Sequence, residues 1–181
     1  MQATEIDCNQ TKVPRDRAHL TQHLDAAYNL ARWLVRDESH AEDLVQEAYL
    51  RAFRSYHSFR GDESRPWILA IVRNACYDWL RDVHQGHGRH TSSIDIDRFE
   101  SRALSPEAIM LQREDANAVR HALGRLHPLF REILILREFE QLPYSEIAAI
   151  TGVPKGTVMS RLSRARKHLS SSLLERQRRA S

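Results

Sequence analysis

The residues best suited to binding a charged partner lie between Lys155 and Leu169, a segment with five lysines or arginines and no acid. Its apolar positions recur at helical spacing and predict an inward face: Val158, Leu162, Ala165 and Leu169. The remaining polar and cationic side chains would face outward. Cations in this arrangement bind DNA phosphates, and the polar side chains between them can contact base edges in the major groove. The pattern therefore indicates a DNA-binding helix.

A short helix and a tight turn precede this segment. Ile147 and Ala148 fall on the inward side of the first helix. Gly152 stands where a helix must end in a left-handed conformation, which glycine adopts at the least cost. Pro154 suits the first turn of the next helix, because its missing N–H needs no partner there. Residues 144–169 therefore predict a helix-turn-helix, with a basic solvated helix on an ordinary bundle as the alternative.

Charge is unevenly distributed along the 181 residues. Residues 37–47 contain five acids and no lysine or arginine, whereas residues 127–181 carry ten lysines or arginines against five acids. The formal net charge of +3 and the pI near 9.1 are compatible with a polyanionic partner without requiring one. An acidic surface near the beginning and a basic one near the end predict two different partners.

Helical periodicity dominates the rest of the chain. Apolar residues recur every three or four positions over residues 20–35, 41–56, 67–80 and 109–126. Ser39 with Glu42 predicts a capping box for the second of these helices. Three prolines suit the first turns of later helices: Pro66, Pro106 and Pro128, the last opening a helix through Phe139.

The predicted fold is all-α, with two small helical domains over residues 19–83 and 106–172. Between them, residues 84–105 lose the periodicity and are rich in Gly, His, Ser and charge, which is typical of a flexible linker. The leader 1–18 and the last residues of the basic tail 173–181, RQRRAS at 176–181, are expected to be disordered.

Signals for catalysis or metal binding are weak. His84, His87 and His90 repeat every third residue, but no helical pattern holds the rings together and no cysteine or further carboxylate completes a metal shell. No phosphate-binding glycine loop, serine elbow or pair of catalytic carboxylates is recognisable. We expect no metal, no cofactor and no enzymatic activity.

The two cysteines, Cys8 and Cys76, lie far apart and lack metal-ligand spacing. Cys76 falls on the apolar side of a helix, which predicts a buried free thiol and fits a reducing compartment. No apolar run approaches the length that spans a bilayer, and the polar N-terminus lacks a signal-peptide core. We expect a cytoplasmic protein without membrane insertion.

Three segments in this order resemble bacterial sigma factors of the sigma-70 family, and more narrowly the compact extracytoplasmic-function (ECF) group. AEDLVQEAY at 41–49 with the turn SFRG at 58–61 is similar to conserved region two. PWILAIVRNACYDWLRD at 66–82 is similar to the part of that region that opens promoter DNA. SEIAAITGVPKGTVMSRLSRAR at 145–166 is similar to region four. The resemblance spans both predicted domains.

The resemblance implies a protein that binds core RNA polymerase, recognises the −35 and −10 promoter elements and helps to melt DNA. Its polymerase partners would be the clamp coiled coil of the largest subunit and the flap. The clamp-contact positions match Asp43, Gln46 and Glu47, whose polarity and charge suit an arginine-rich surface. An anti-sigma factor is the implied regulator, and the linker is implied to run toward the polymerase active centre.

The resemblance also implies DNA contacts. Positions near the non-template strand of the −10 element match Trp67, Arg73, Asn74 and Tyr77, although Trp67 is equally consistent with the core. Positions at the −35 element match eight residues: Lys155, Thr157, Met159, Ser160, Arg161, Ser163, Arg164 and Arg166. Of these, Met159, Ser160, Ser163 and Arg164 would face bases, while Thr157, Arg161 and Arg166 would contact the backbone. Arginine can hold guanine through two hydrogen bonds, which favours Arg164 as the base reader.

Two other functions are consistent with parts of the pattern. A free-standing helix-turn-helix regulator would use the first domain for dimerisation or sensing, but it needs neither the acidic helix nor a helix that opens DNA. A helical nuclease would need a set of metal-binding carboxylates, which the sequence does not place together.

Overall fold

The computed structural model describes residues 18–59, 63–85 and 106–180, and every regular element in these ranges is helical. The elements are α1 Ala18–Thr21, α2 Leu24–Val35, α3 Glu38–Ser55, α4 Ser64–His84, α5 Pro106–Arg125, α6 Pro128–Leu134, α7 Tyr144–Thr151 and α8 Lys155–Ala180. A 3-10 turn, Tyr56–Ser58, follows α3, and a π-helical turn, Ile135–Phe139, continues α6. The all-α prediction is confirmed. None of these helices is both long and apolar enough to cross a bilayer.

Helices α2, α3 and α4 pack against one another, and with α1 they form what we call the first lobe. Its fully buried side chains are almost all aliphatic: Leu30, Ala31, Ala41, Ala48, Ile68, Leu69, Val72 and Cys76. Burial raises the pKa of the Cys76 thiol to about 12, so the reactive thiolate is suppressed. The predicted buried free thiol is confirmed.

Helices α5 to α8 form the second lobe, in which α8 packs on α5, α6 and α7. Val158, Leu162 and Ala165 are buried, as their spacing predicted. Gly152 ends α7 with a φ of 69°, and its N–H donates to the Ala148 carbonyl at 2.9 Å. The predicted left-handed glycine is therefore confirmed, and it turns the chain from α7 into α8.

Two helix starts differ from the sequence predictions. Residues 20–35 form two helices, because α1 ends at Thr21 and α2 begins at Leu24. The capping-box prediction at Ser39 was wrong: Asp37 caps α3, and its carboxylate accepts from the His40 N–H at 2.9 Å. That hydrogen bond lowers the pKa of Asp37. An aspartate in extended backbone just before a helix satisfies the third amide of the helix, and this leaves no capping role for Ser39.

The expectation of a disordered tail was also wrong, because α8 continues to Ala180. Ser172, Glu175 and Arg176 line a groove between α8 and α5, and the helix runs past the predicted domain end at 172. Cys8, His87 and His90 fall outside the described residues, as do nearly all of the predicted leader and linker. The domain boundaries stay predictions.

Two glycines of the helix-turn-helix provide a matched stability test. Gly152→Ala should lower the free energy of unfolding by about 1 kcal/mol, because a φ of 69° is costly for a residue with a Cβ. Gly156→Ala, inside α8, should raise it by about 0.5 kcal/mol, because alanine is the better helix former. Neither added Cβ would meet another heavy atom within 4 Å, so steric clashes do not contribute. Urea unfolding measures both changes, and equal losses at the two positions would contradict this reasoning.

Candidate nucleic-acid interface

Helix α8 presents a polar and cationic face to solvent. Six of the eight residues predicted to contact the −35 element are exposed: Lys155, Met159, Ser160, Ser163, Arg164 and Arg166. Thr157 and Arg161 are half-buried. Met159 is 54% exposed and adds an apolar contact surface between polar neighbours. This face has the shape and charge that a major-groove helix requires.

Intramolecular partners distinguish the arginines of this face. Arg166 donates to the Glu138 carboxylate through Nε at 3.0 Å and Nη2 at 2.6 Å. Both side chains are about half exposed, so the pair contributes little to stability and a phosphate can replace the carboxylate. Arg164 makes no hydrogen bond or ion pair within the described part of the chain. Its guanidinium is available to a ligand.

The four predicted −10 contacts all lie on α4, but they differ in exposure. Asn74 is exposed, whereas Trp67, Arg73 and Tyr77 are half-buried. Trp67 stacks on Phe59, with ring centroids 4.7 Å apart and planes at 29°. Trp67 therefore belongs partly to the core and partly to the surface. The Arg73 guanidinium lies 4.5 Å from the centre of the Tyr77 ring.

Glu132 was not identified from the sequence, yet it is fully buried where the two lobes meet. Arg73 donates to its carboxylate through Nε at 2.9 Å and Nη2 at 3.4 Å. Burial raises the pKa of Glu132, while the charges of Arg73 and Arg161 act in the opposite direction. Burial and the neighbouring Glu132 also raise the pKa of Tyr77. Arg73, one of the predicted −10 contacts, is thus paired with this buried acid.

Glu140 makes a second polar contact between the lobes. Its carboxylate accepts from Arg65 Nη2 at 2.7 Å and from Asn29 Nδ2 at 2.7 Å. The Glu140 side chain is only 10% exposed. Arg65 is the second residue of α4 and precedes the predicted −10 residues. It lies in a polar stretch before the apolar stripe, so the sequence did not predict its contact with Glu140.

Arg131 joins the ends of helices from both lobes. Its buried guanidinium donates through Nε to the Leu123 carbonyl at 3.0 Å and through Nη2 to the Gly124 and Leu126 carbonyls at 2.9 and 2.8 Å. Through Nη1 it donates to the Trp33 carbonyl at 2.8 Å. The last carbonyls of a helix lack intrahelical partners and favour a cation. Burial lowers the pKa of Arg131 to about 10, which leaves it charged at neutral pH.

The predicted polymerase contacts lie together on α3. Asp43, Gln46 and Glu47 are all exposed, and their spacing places them on one helix face. Glu47 forms an ion pair with Arg51 one turn later. Leu50 is 56% exposed beside them and was missed. The available signal was that Leu50 lies outside the apolar stripe of this helix.

The fold and its surfaces define an all-α protein of two lobes, with a helix-turn-helix and an acidic helix as its two exposed charged faces. Residues 20–85 match the family profile for sigma-70 region 2, and residues 116–169 match the profile for sigma-70 region 4. The chain belongs to the sigma-70 family of RNA polymerase sigma factors, in its ECF group. The prediction from the sequence motifs is confirmed, and the alternative of a free-standing regulator is wrong.

Sequence and structural similarity to other sigma factors supports this assignment. The chain is 34% identical over 162 residues to the ECF RNA polymerase sigma factor SigE of Mycolicibacterium smegmatis, covering 89% of this chain but 62% of SigE. It is 38% identical over 134 residues to the ECF RNA polymerase sigma-E factor of Escherichia coli, covering 69% of each. A solved structure of the sigma factor RpoE from Bartonella quintana, in complex with the anti-sigma factor NepR, superposes with a TM-score of 0.70. That match has 30% identity and covers 87% of this chain and 95% of RpoE.

Arg131→Lys should destabilise the protein by at least about 2 kcal/mol, because one ammonium group cannot reach carbonyls of both α2 and α5 and so leaves buried acceptors unpaired. Chemical denaturation followed by circular dichroism measures the loss. Arg125→Lys, at an exposed position of α5, serves as the control and should change stability by less than about 0.5 kcal/mol. Equal stability of the two variants would show that the hydrogen bonds of the Arg131 guanidinium are not needed for stability.

Proposed function

We propose that this chain is a promoter-specificity subunit that binds core RNA polymerase, recognises the −35 and −10 elements and helps to melt the DNA at the upstream edge of the transcription bubble. The main support is that this sigma-70 chain exposes an acidic face on α3 in one lobe and a cationic face on α8 in the other. Run-off transcription on a genomic promoter library tests it. Discrete transcripts should require the added chain, and a pattern identical to that of core polymerase alone would overturn the proposal.

In this proposal, α8 reads the −35 element. Met159, Ser160, Ser163 and Arg164 face bases, and Arg164 is the strongest reader because its guanidinium has no protein partner among the described residues. Four residues contact phosphates and fix the register of the helix: Lys155, Thr157, Arg161 and Arg166.

Helix α4 binds the −10 element. The exposed Asn74 amide reads a base edge, Arg73 holds a phosphate, and the rings of Trp67 and Tyr77 offer stacking surfaces to unpaired bases. Taking bases out of the duplex costs a few kcal/mol, which such pockets offset. Arg73 donates to Glu132 in this structure, so the function requires it to be released.

Core polymerase binds the acidic face of α3. Asp43, Gln46 and Glu47 accept hydrogen bonds from an arginine-rich clamp coiled coil, and Leu50 adds an apolar contact beside them. The flap is the corresponding partner of the second lobe. The protein acts in the cytoplasm, where the polymerase is, and performs no catalysis of its own.

An anti-sigma factor inhibits the chain. The support is the Bartonella quintana RpoE, which shares 30% identity with this chain and was solved in complex with the anti-sigma factor NepR. Such a partner would compete with polymerase or DNA for the same lobes.

Arg164→Ala should weaken binding to a cognate −35 duplex by roughly 5- to 150-fold, since a bidentate base contact is worth about 1–3 kcal/mol. Polymerase binding should be unchanged. Fluorescence anisotropy with promoter duplex and co-elution with core polymerase measure the two effects. Arg176→Ala, an exposed arginine on the same helix beyond the region 4 match, is the control and should bind duplex normally. If the Arg164 variant bound the −35 duplex with the parent's affinity, Arg164 would not be a base-contacting residue.

Asp43→Arg should abolish co-elution with core polymerase, because reversing a charge at an arginine-rich interface costs several kcal/mol. The variant should still bind the −35 duplex as the parent does, since Asp43 lies in the other lobe. Glu175→Arg makes the same charge reversal at an exposed site on α8 and should leave polymerase binding intact. If the Asp43 variant still formed a complex with core polymerase, the acidic face of α3 would be an ordinary solvent-exposed surface without a role in that contact.

A further inference from the structure

Met159 differs from its neighbours on the cationic face of α8 because it is both apolar and exposed. Its side chain is 54% exposed, whereas the other large apolar side chains of residues 155–169 are buried or half-buried. A single exposed apolar residue is ordinary on a protein surface, so its position decides what it means. Met159 lies between the exposed cations Lys155 and Arg164, in the part of α8 that is proposed to face bases. DNA that binds these cations would also cover the methionine.

The residues one turn away from Met159 leave its side chain open to a ligand. Gly156 precedes it by three positions and Ser163 follows it by four, so both adjoin it on the helix surface. A Cβ added at Gly156 would meet nothing within 4 Å, which shows that the surface there is open. Ser163 is exposed and has a short side chain. A base edge can therefore approach the Met159 side chain closely.

The hydroxyl of Ser160, the next residue, has a defined polarity. Its Oγ donates to the Thr157 carbonyl at 3.0 Å, within α8 itself. A hydroxyl has one proton and two lone pairs, so this bond engages the proton and leaves lone pairs for another donor. Ser160 is exposed. The surface therefore presents a hydrogen-bond acceptor beside the apolar side chain of Met159.

One kind of base pair offers partners for both groups. In the major groove thymine carries a C5 methyl group and adenine carries the N6 amino donor, whereas a G·C pair has a donor but no methyl group. We propose that Met159 is a specificity residue that contacts the thymine methyl group of a T·A pair in the −35 element, while Ser160 accepts from the adenine amino group. This inference rests on the proposed function, which places α8 in the major groove.

Arg164 contacts a different base pair from Met159. It follows Met159 by five residues, which is about 7.5 Å along the axis of an α-helix. Successive base pairs are about 3.4 Å apart, so one base pair cannot hold both side chains. Helix α8 should therefore prefer thymine at one position, through Met159, and guanine at a separate position, through Arg164.

Selection from randomised promoters tests the preference. The probes are promoter duplexes recovered by run-off transcription, with the base pairs of the −35 element randomised. They are bound to the full chain in complex with core polymerase, and the bound fraction is sequenced. The parent should enrich thymine at one position. Met159→Ala should lose the enrichment at that position alone, whereas Met159→Leu, which keeps an apolar side chain, should retain it.

Deoxyuridine isolates the contribution of the methyl group, because it lacks only the C5 methyl of thymidine and keeps every hydrogen bond. Replacing the selected thymine by deoxyuridine should weaken binding of the parent by about fourfold, as expected for the loss of one buried methyl group. The same replacement should leave the affinity of Met159→Ala unchanged. The fourfold ratio should persist as salt is raised, because the contact carries no charge, although the overall affinity falls.

Leu174→Ala is the matched control. Leu174 is 57% exposed on the same helix but lies beyond the region 4 match, so its truncation should change neither the affinity nor the thymine preference. Two results would overturn the inference and leave the proposed function standing: a parent that is indifferent to the methyl group at every thymine, or a thymine preference that persists in Met159→Ala. If the parent enriched no sequence from the pool, the proposed function would fail, and this inference with it.

Discussion

A single buried guanidinium determines how the two lobes meet. The carbonyls that end α2 and α5 are buried where the lobes join, and such groups must find partners. Arg131 supplies donors to both ends, which fixes the start of α6 between the lobes. The next residue in the chain is Glu132, and α6 carries it into the interface opposite Arg73. The ion pair of Arg73 with Glu132 between the lobes is therefore a consequence of how buried helix ends are satisfied.

The π-helical turn after α6 distributes the remaining acids of this segment. The Glu140 N–H donates to the Ile135 carbonyl at 3.0 Å, and Gln141 takes a φ of 54°, which ends the turn. Ile135 and Leu136 stay buried, while Glu138 reaches α8 and Glu140 reaches the first lobe. Insertions of this kind in helices often occur at functional sites. Here the turn lets one short segment contact the two helices that are proposed to bind DNA.

What the sequence could predict follows from the range of the interactions. The inward positions of α8 and the glycine at 152 depend on neighbours within a few residues, so periodicity and backbone preference predicted them. Asp37 and Ser39 both suit a cap, and only the backbone geometry decides between them. Arg131 and Glu132 interrupt an apolar pattern, which by periodicity alone places them at the surface. Their partners Trp33 and Arg73 lie far away in the sequence, 98 and 59 residues distant, and no local pattern reveals such contacts.

The exposed faces imply an order of events. The acidic face of α3 and the cationic face of α8 are exposed while the lobes are in contact, whereas Arg73 and Tyr77 on α4 are half-buried and Arg73 is paired with Glu132. Under the proposed function, polymerase and the −35 duplex can bind the chain while its lobes are in contact, whereas an unpaired strand at Arg73 must displace Glu132. Docking at either face raises the local concentration of DNA near the other lobe, and this favours exchange of carboxylate for phosphate at α4. In the proposed function, capture of the melted strand therefore follows the binding of duplex and polymerase.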